Sequence, residues 1–125
     1  MSRPKVLIVE DEGIIAWDLK RRVQRLDAEV IAVVDTADRA VERARADAPD
    51  LILMDITLKG EKTGIEAATE IRRFSETAIV YLTGNSHLAD DPAVVASRAQ
   101  GMFSKPPSDA QILAMLAAAS STGAN

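Results

Sequence analysis

Five short runs of apolar, mostly β-branched residues punctuate the chain: Lys5 to Val9, Glu29 to Val34, Leu51 to Met54, Ala78 to Leu82 and Met102 to Ser104. None is long enough for a helix, and each predicts a strand. Between them the apolar spacing changes. Ile15, Leu19, Val23 and Leu26 recur every three or four residues, as do Ile65, Ala68 and Ile71, and then Ile112, Met115 and Leu116. That period puts each set on one face of a helix. Strand and helix therefore alternate. Strands that read as continuous apolar runs belong in a parallel sheet with helices on both faces. The predicted fold class is α/β, a doubly wound five-stranded parallel sheet in the order 2-1-3-4-5 with five helices.

Boundary residues support this segmentation. Thr36 can cap the second helix, which stops before Ala48-Pro49 because the residue ahead of a proline is disfavoured in the α region. Thr63 can cap the third, with Glu66 completing a capping box, and Pro107-Ser108-Asp109 opens the fifth. The fourth helix is interrupted by Asp90-Asp91-Pro92, so it is expected to begin near Pro92 and to be short and mobile. The folded core is expected to span about residues 5–119, with a frayed tail from Ser120 to Asn125.

Composition narrows the function class. A chain of 125 residues with 47% apolar and 27% charged side chains suits one globular domain. No apolar stretch approaches the roughly 20 residues that span a bilayer, and the N-terminus lacks a signal-peptide pattern, so a cytoplasmic protein is expected. The absence of cysteine excludes disulfides and thiolate chemistry, and the net charge of −4 argues against nucleic acid and membrane surfaces as partners.

Where the acids sit matters more than their number. In an open parallel sheet, ligands bind beyond the carboxyl ends of the strands where strand order reverses, here between the first and third strands. The first strand runs into Glu10-Asp11-Glu12 and the third into Asp55. Converging carboxylates repel, and a shared hard cation relieves them; magnesium takes one or two carboxylates and leaves room for phosphate oxygens. The fourth strand ends at Thr83, a hydroxyl followed by Gly84, and the fifth at Lys105, an ammonium followed by Pro106. An acid nucleophile, a metal site, a hydroxyl and a cation along one edge are the parts of a phosphoryl-transfer site.

Together, Val6-Leu7-Ile8-Val9-Glu10-Asp11-Glu12, Asp55, Thr83 and Lys105-Pro106 resemble a response-regulator receiver domain of the chemotaxis-regulator type, a flavodoxin-like fold of two-component signalling. The resemblance runs from about Lys5 to Ala119. It implies that Asp55 is the phosphoacceptor and that Mg2+ is held by Asp11, Asp55 and the backbone carbonyl of Thr57, with Glu10 acting through water. It implies that Thr83 and Lys105 contact the phosphoryl oxygens and that the Lys105-Pro106 bond is cis. The donor would be a histidine kinase or histidine phosphotransfer protein. Output would pass through the face of the fourth helix, fifth strand and fifth helix to a protein partner, the length leaving no room for an output domain. A phosphate sink or relay, or a receiver fragment of a larger regulator, are the alternatives.

Three positions depart from the family pattern. The loop after Asp55 carries Lys59 where proline is common and one extra residue before Gly64, so a more mobile loop is expected. Met102 stands where an aromatic switch residue is usual, leaving Phe103 as a core residue. The fourth helix is broken by Pro92. Thr83-Gly84-Asn85 also resembles a subgroup of single-domain regulators with a loose fourth helix.

Other residues have plainer readings. His87 is read as an exposed loop residue, and Lys20-Arg21-Arg22 and Arg72-Arg73 as solvated helix faces. Ile14 and Trp17 lie beside the core stripe of the first helix; a monomer is expected, with a Trp17-centred homodimer as the alternative. A haloacid-dehalogenase-like phosphatase would need a second acid two residues after Asp55, where Thr57 stands. A flavodoxin-like electron carrier would need a phosphate loop where Glu10-Asp11-Glu12 would repel it.

Overall fold

The computed structural model describes residues 3–84 and 86–123. Its elements run β1 Lys5–Val9, α1 Gly13–Arg25, β2 Glu29–Val34, α2 Ala37–Asp47, β3 Leu51–Asp55, α3 Gly64–Ile71, β4 Ala78–Thr83, a 3₁₀ turn Ser86–Asp90, α4 Pro92–Ala96, β5 Gly101–Ser104 and α5 Asp109–Gly123. The strands form one parallel five-stranded sheet in the order β2-β1-β3-β4-β5.

The central strands are buried on both faces because successive side chains point to opposite sides. Leu7, Val9, Ile52, Met54, Ile79 and Tyr81 pack with α2 and α3 on one side. Val6, Ile8, Leu51, Leu53, Val80 and Leu82 pack with α1 and α5 on the other. Each fully buried aliphatic side chain stabilises the fold by about 1.5–3 kcal/mol, so these two layers dominate the local terms. β3 and β4 extend one residue beyond their apolar runs, to Asp55 and Thr83. Polar residues thus end up hydrogen-bonded into the sheet.

The caps form as expected. The Thr36 side chain accepts from the Arg39 N–H at 3.2 Å. Thr63 and Glu66 make the reciprocal capping box at 3.2 and 3.1 Å. Asp91 caps the short α4 through the Ala93 N–H at 2.8 Å, with Pro92 in the first turn. α5 overruns the expected core boundary: residues 120–123 are helical, the alanine-rich stretch before them carrying the helix onward. Residues 124 and 125, Asn85 and the exposure of His87 lie outside the described residues.

Two expectations need correction. Arg72 is no solvated helix charge. Its guanidinium donates to the carbonyls of Ser97 at 2.7 Å, Thr77 at 2.6 Å and Ser75 at 3.2 Å, tying the end of α3 to the segment after α4. Arg22 is likewise engaged, donating to Asp109 at 2.7 Å and so joining α1 to α5. Helical periodicity marks which face is polar; it does not reveal what that face meets.

The loop between β3 and α3, where added mobility was expected, is tethered at several points though largely exposed. It is anchored by buried Ile56 and Leu58, by a bridge between Thr36 and Lys59, and by Lys62 on Asp38 at 3.1 Å. The Gly64 N–H donates to the Ile56 carbonyl at 2.7 Å. A Cβ on Gly64 would overlap the Asp55 carbonyl oxygen and crowd Met54 Cγ at 2.9 Å. We therefore expect Gly64→Ala to destabilise the domain by roughly 1–3 kcal/mol, read as a lowered urea midpoint. An unchanged midpoint would show that this close approach is dispensable.

Candidate functional site

Because all five strands run the same way, their carboxyl ends share one edge. Register places Val9 beside both Val34 and Met54, so Glu10 and Asp55 emerge next to each other. Glu10 is 3% exposed; its N–H donates to the Val34 carbonyl at 2.9 Å, and its Oε2 accepts from the Glu12 N–H at 3.1 Å. Asp55, also 3% exposed, accepts from the Thr57 N–H at 3.3 Å through Oδ1. Asp11 is half-buried, and one carboxylate oxygen from each of Glu10, Asp11 and Asp55 lies within 4.8 Å of the others.

Lys105 closes the cluster. Its backbone N–H donates to the Thr83 carbonyl at 3.0 Å, and the Lys105-Pro106 bond is cis. From there Nζ donates to Asp55 Oδ2 at 3.0 Å and to Glu10 Oε1 at 3.2 Å. One ammonium against three carboxyl groups leaves an excess of negative charge in a mostly buried site. Isolated buried charge is costly, and an oxygen-only donor set of this charge fits a hard divalent cation. Beside the carboxylates opens a cavity of about 550 Å³ whose walls include Asp11, Trp17, Lys20, Asp35 and Lys59.

Electrostatics register the crowding. Burial, with the neighbouring Asp55 carboxylate adding to it, raises Glu10 from 4.5 to about 7. Burial lowers Lys105, but its bonds to Asp55 and Glu10 outweigh that and hold it above the ordinary lysine range.

The remaining candidates fall around this centre. Thr83 is buried at the end of β4, beside Ser104 of β5. A Cβ on Gly84 would meet nothing within 4 Å, so packing does not demand glycine there. Met102 is half-buried on the α2 and α3 side, and Phe103, expected in the core, is only partly buried against the α1 and α5 side. In the register Met102 faces Tyr81, a fully buried aromatic whose hydroxyl donates to Ser97 Oγ at 2.8 Å. Sequence reasoning missed Tyr81 because it sits inside an apolar strand, and the only hint was its phenol among aliphatic neighbours.

The model of the response regulator receiver domain matches residues 6–117. The chain belongs to the response regulator receiver family. Among relatives of this receiver, the transcriptional regulatory protein YvrH of Bacillus subtilis is 33% identical over 106 residues, 85% of this chain and 44% of that protein. The transcriptional regulatory protein PdtaR of Mycobacterium tuberculosis is 37% identical over 82 residues, 66% of this chain and 40% of that protein. The receiver thus spans less than half the length of these curated relatives. Among solved structures, the receiver domain of a modulated diguanylate cyclase from Desulfovibrio desulfuricans superposes with a TM-score of 0.86 at 27% identity, covering 94% of each chain.

Receiver domains bind Mg2+ at an acidic pocket and are phosphorylated by histidine kinases or phosphotransfer proteins; they are signalling proteins and not conventional enzymes. Among the described residues of this receiver, no helix is long and apolar enough to cross a membrane.

The raised Glu10 yields a pH signature in chelator-treated protein. The folded state holds the proton more tightly than the unfolded chain. Glu10 therefore opposes folding progressively as pH rises from 4.5 to about 7. Denaturant titrations across that window should show this loss, and Glu10→Gln should flatten it. A slope unaffected by the substitution would place the titration elsewhere.

Proposed function

We propose that this receiver accepts a phosphoryl group on Asp55 from a histidine kinase or histidine phosphotransfer protein in the cytoplasm. The observation that carries the reading is Lys105 Nζ held between Asp55 at 3.0 Å and Glu10 at 3.2 Å, with Asp11 in the same cluster. An Asp55 oxygen attacks phosphorus and forms the P–O bond of an acyl phosphate. The P–N bond of the phosphohistidine breaks, its electron pair staying on the imidazole nitrogen. Hydrolysis of the acyl phosphate returns Asp55 and inorganic phosphate, so the protein promotes both its phosphorylation and its dephosphorylation.

Mg2+ would be held by Asp11, Asp55 and the Thr57 carbonyl, with Glu10 acting through water, and would neutralise charge on the phosphoryl oxygens. Lys105 then exchanges its Asp55 partner for a phosphoryl oxygen, and the Thr83 hydroxyl donates to another. Such preorganised donors act strongly where water is largely excluded. The phosphoryl group brings about −1.5 to −2 charge, enough to redraw the contacts of Thr83 and Lys105. Output through α4, β5 and α5 to a protein partner follows from their place beside these residues. In this reading Met102 replaces the usual aromatic switch, and the cis Pro106 fixes the course of the chain after Lys105. A phosphate sink or relay would use the same chemistry without that output. The phosphatase alternative lacks its second acid, since Thr57 stands there.

Intact-mass spectrometry after incubation with acetyl phosphate and magnesium tests the assignment. One phosphoryl adduct is expected on wild type and none on Asp55→Asn, and Lys105→Ala should slow labelling by about 10²-fold. An equal adduct on Asp55→Asn would overturn it.

A further inference from the structure

The cavity of about 550 Å³ beside the carboxylates carries more than phosphoryl transfer to Asp55 uses. Gly13, Ala16, Trp17 and Lys20 line it at helical spacing, so one face of α1 turns toward it. Val33 and Val34 of β2 add apolar wall, and Arg39 and Lys59 bring two further cations. Trp17 is 58% exposed and Val33 is 39% exposed.

The charged groups on these walls select the ligand. Glu10 and Asp11 belong to the acidic cluster, whose excess negative charge a divalent cation cancels. That leaves Lys20, Arg39 and Lys59 against Asp35 alone. Asp35 faces Arg39 at 3.9 Å and Lys59 at 4.0 Å, too far for hydrogen bonds, and among the described residues Lys20 has no ion pair. Exposed pairs of this kind contribute little, so an incoming anion can take both cations over at small cost. With a metal bound, the cavity therefore favours a multiply charged anion. Trp17 and Val33 add a demand for a flat, weakly polar part, which inorganic phosphate lacks. The volume suits a small organic molecule, whose sites run from about 300 to 1,000 Å³. The cavity also opens at the carboxyl ends of β1 and β2, the edge where open parallel sheets take their ligands.

We infer that this cavity binds a nucleoside diphosphate together with Mg2+. Lys20, Arg39 and Lys59 hold the phosphates against the metal-bearing carboxylates, and the base lies on the wall made by Trp17 and Val33. The site rests on Mg2+ binding at the acidic cluster and not on phosphoryl transfer to Asp55. Sharing that ion, the nucleotide competes with a phosphodonor.

Isothermal titration calorimetry of the whole chain, first with Mg2+ alone and then with ADP in saturating Mg2+, tests this. One ADP should bind per chain, more weakly as salt rises. Trp17→Ala should raise its dissociation constant roughly 10-fold through lost stacking, and Trp17→Phe should restore most of the affinity, with Mg2+ binding unchanged in both. Lys20→Ala and Lys59→Ala should each weaken ADP by roughly 5-fold. Pyrophosphate binding as tightly as ADP, ADP binding undiminished in chelator, or wild-type affinity in Trp17→Ala would overturn the proposal. Mg2+ binding with no ADP binding up to about 1 mM would overturn it alone, whereas failure of Mg2+ itself to bind would overturn the metal site along with it.

Discussion

Three carboxylates, two of them nearly inaccessible to water, are held close together by a sheet that leaves them little freedom to separate. Parallel register is what enforces this. Glu10 and Asp55 begin where β1 and β3 stop pairing, and the apolar layers on both faces of those strands fix their ends. Repulsion among the carboxylates is offset locally by Lys105, which arrives from the opposite end of the chain and is itself bonded to Thr83 through its backbone. The site thus stores an uncompensated negative charge that the core, and not the site's own contacts, keeps in place. That arrangement favours binding of a divalent ion, because folding has already brought the ligands together.

Much of this was legible in the residues because it follows from short-range rules. Runs such as Leu51 to Met54 read as buried parallel strands, and Thr63 with Glu66 reads as a helix start. The strand-end rule then places Glu10, Asp11 and Asp55 together. What escaped were partnerships across the fold. Arg72 looks like any surface arginine, yet it bonds the nearby carbonyls of Ser75 and Thr77 and, across the fold, those of Ser97 and Arg98. Nothing local distinguishes it, since its acceptors are backbone atoms that every residue possesses.

The loop after Asp55 shows the same limit from the other direction. Its extra residue and missing proline point to added freedom, but loop freedom is set by what the loop buries. Exposed pairs such as Lys62 with Asp38 contribute only about 0–1 kcal/mol each, whereas buried Ile56 and Leu58 are worth more per side chain. The anchoring is therefore mainly apolar, and the lysines refine it.

These differences give the site two unlike flanks. Toward β2, the loop carrying Thr57 is seated in the core and bridged to Thr36. Toward β5, the chain after Thr83 forms only a short 3₁₀ turn and the five-residue α4, with Ser97 next in line. Ser97 is held by Arg72 on its carbonyl and by Tyr81 on its hydroxyl. Tyr81 lies two residues before Thr83 on the same strand, so both point to the same face of the sheet. A change in the contacts of Thr83 therefore meets stiff resistance on one side and a few directional hydrogen bonds on the other. The neutral Tyr81 bond contributes about 1 kcal/mol and the charged Arg72 bond about 1.5–3 kcal/mol, less than the summed apolar layers beneath the opposite loop. On that side Tyr81 supplies, from the neighbouring strand, a fully buried aromatic beside the half-buried Met102.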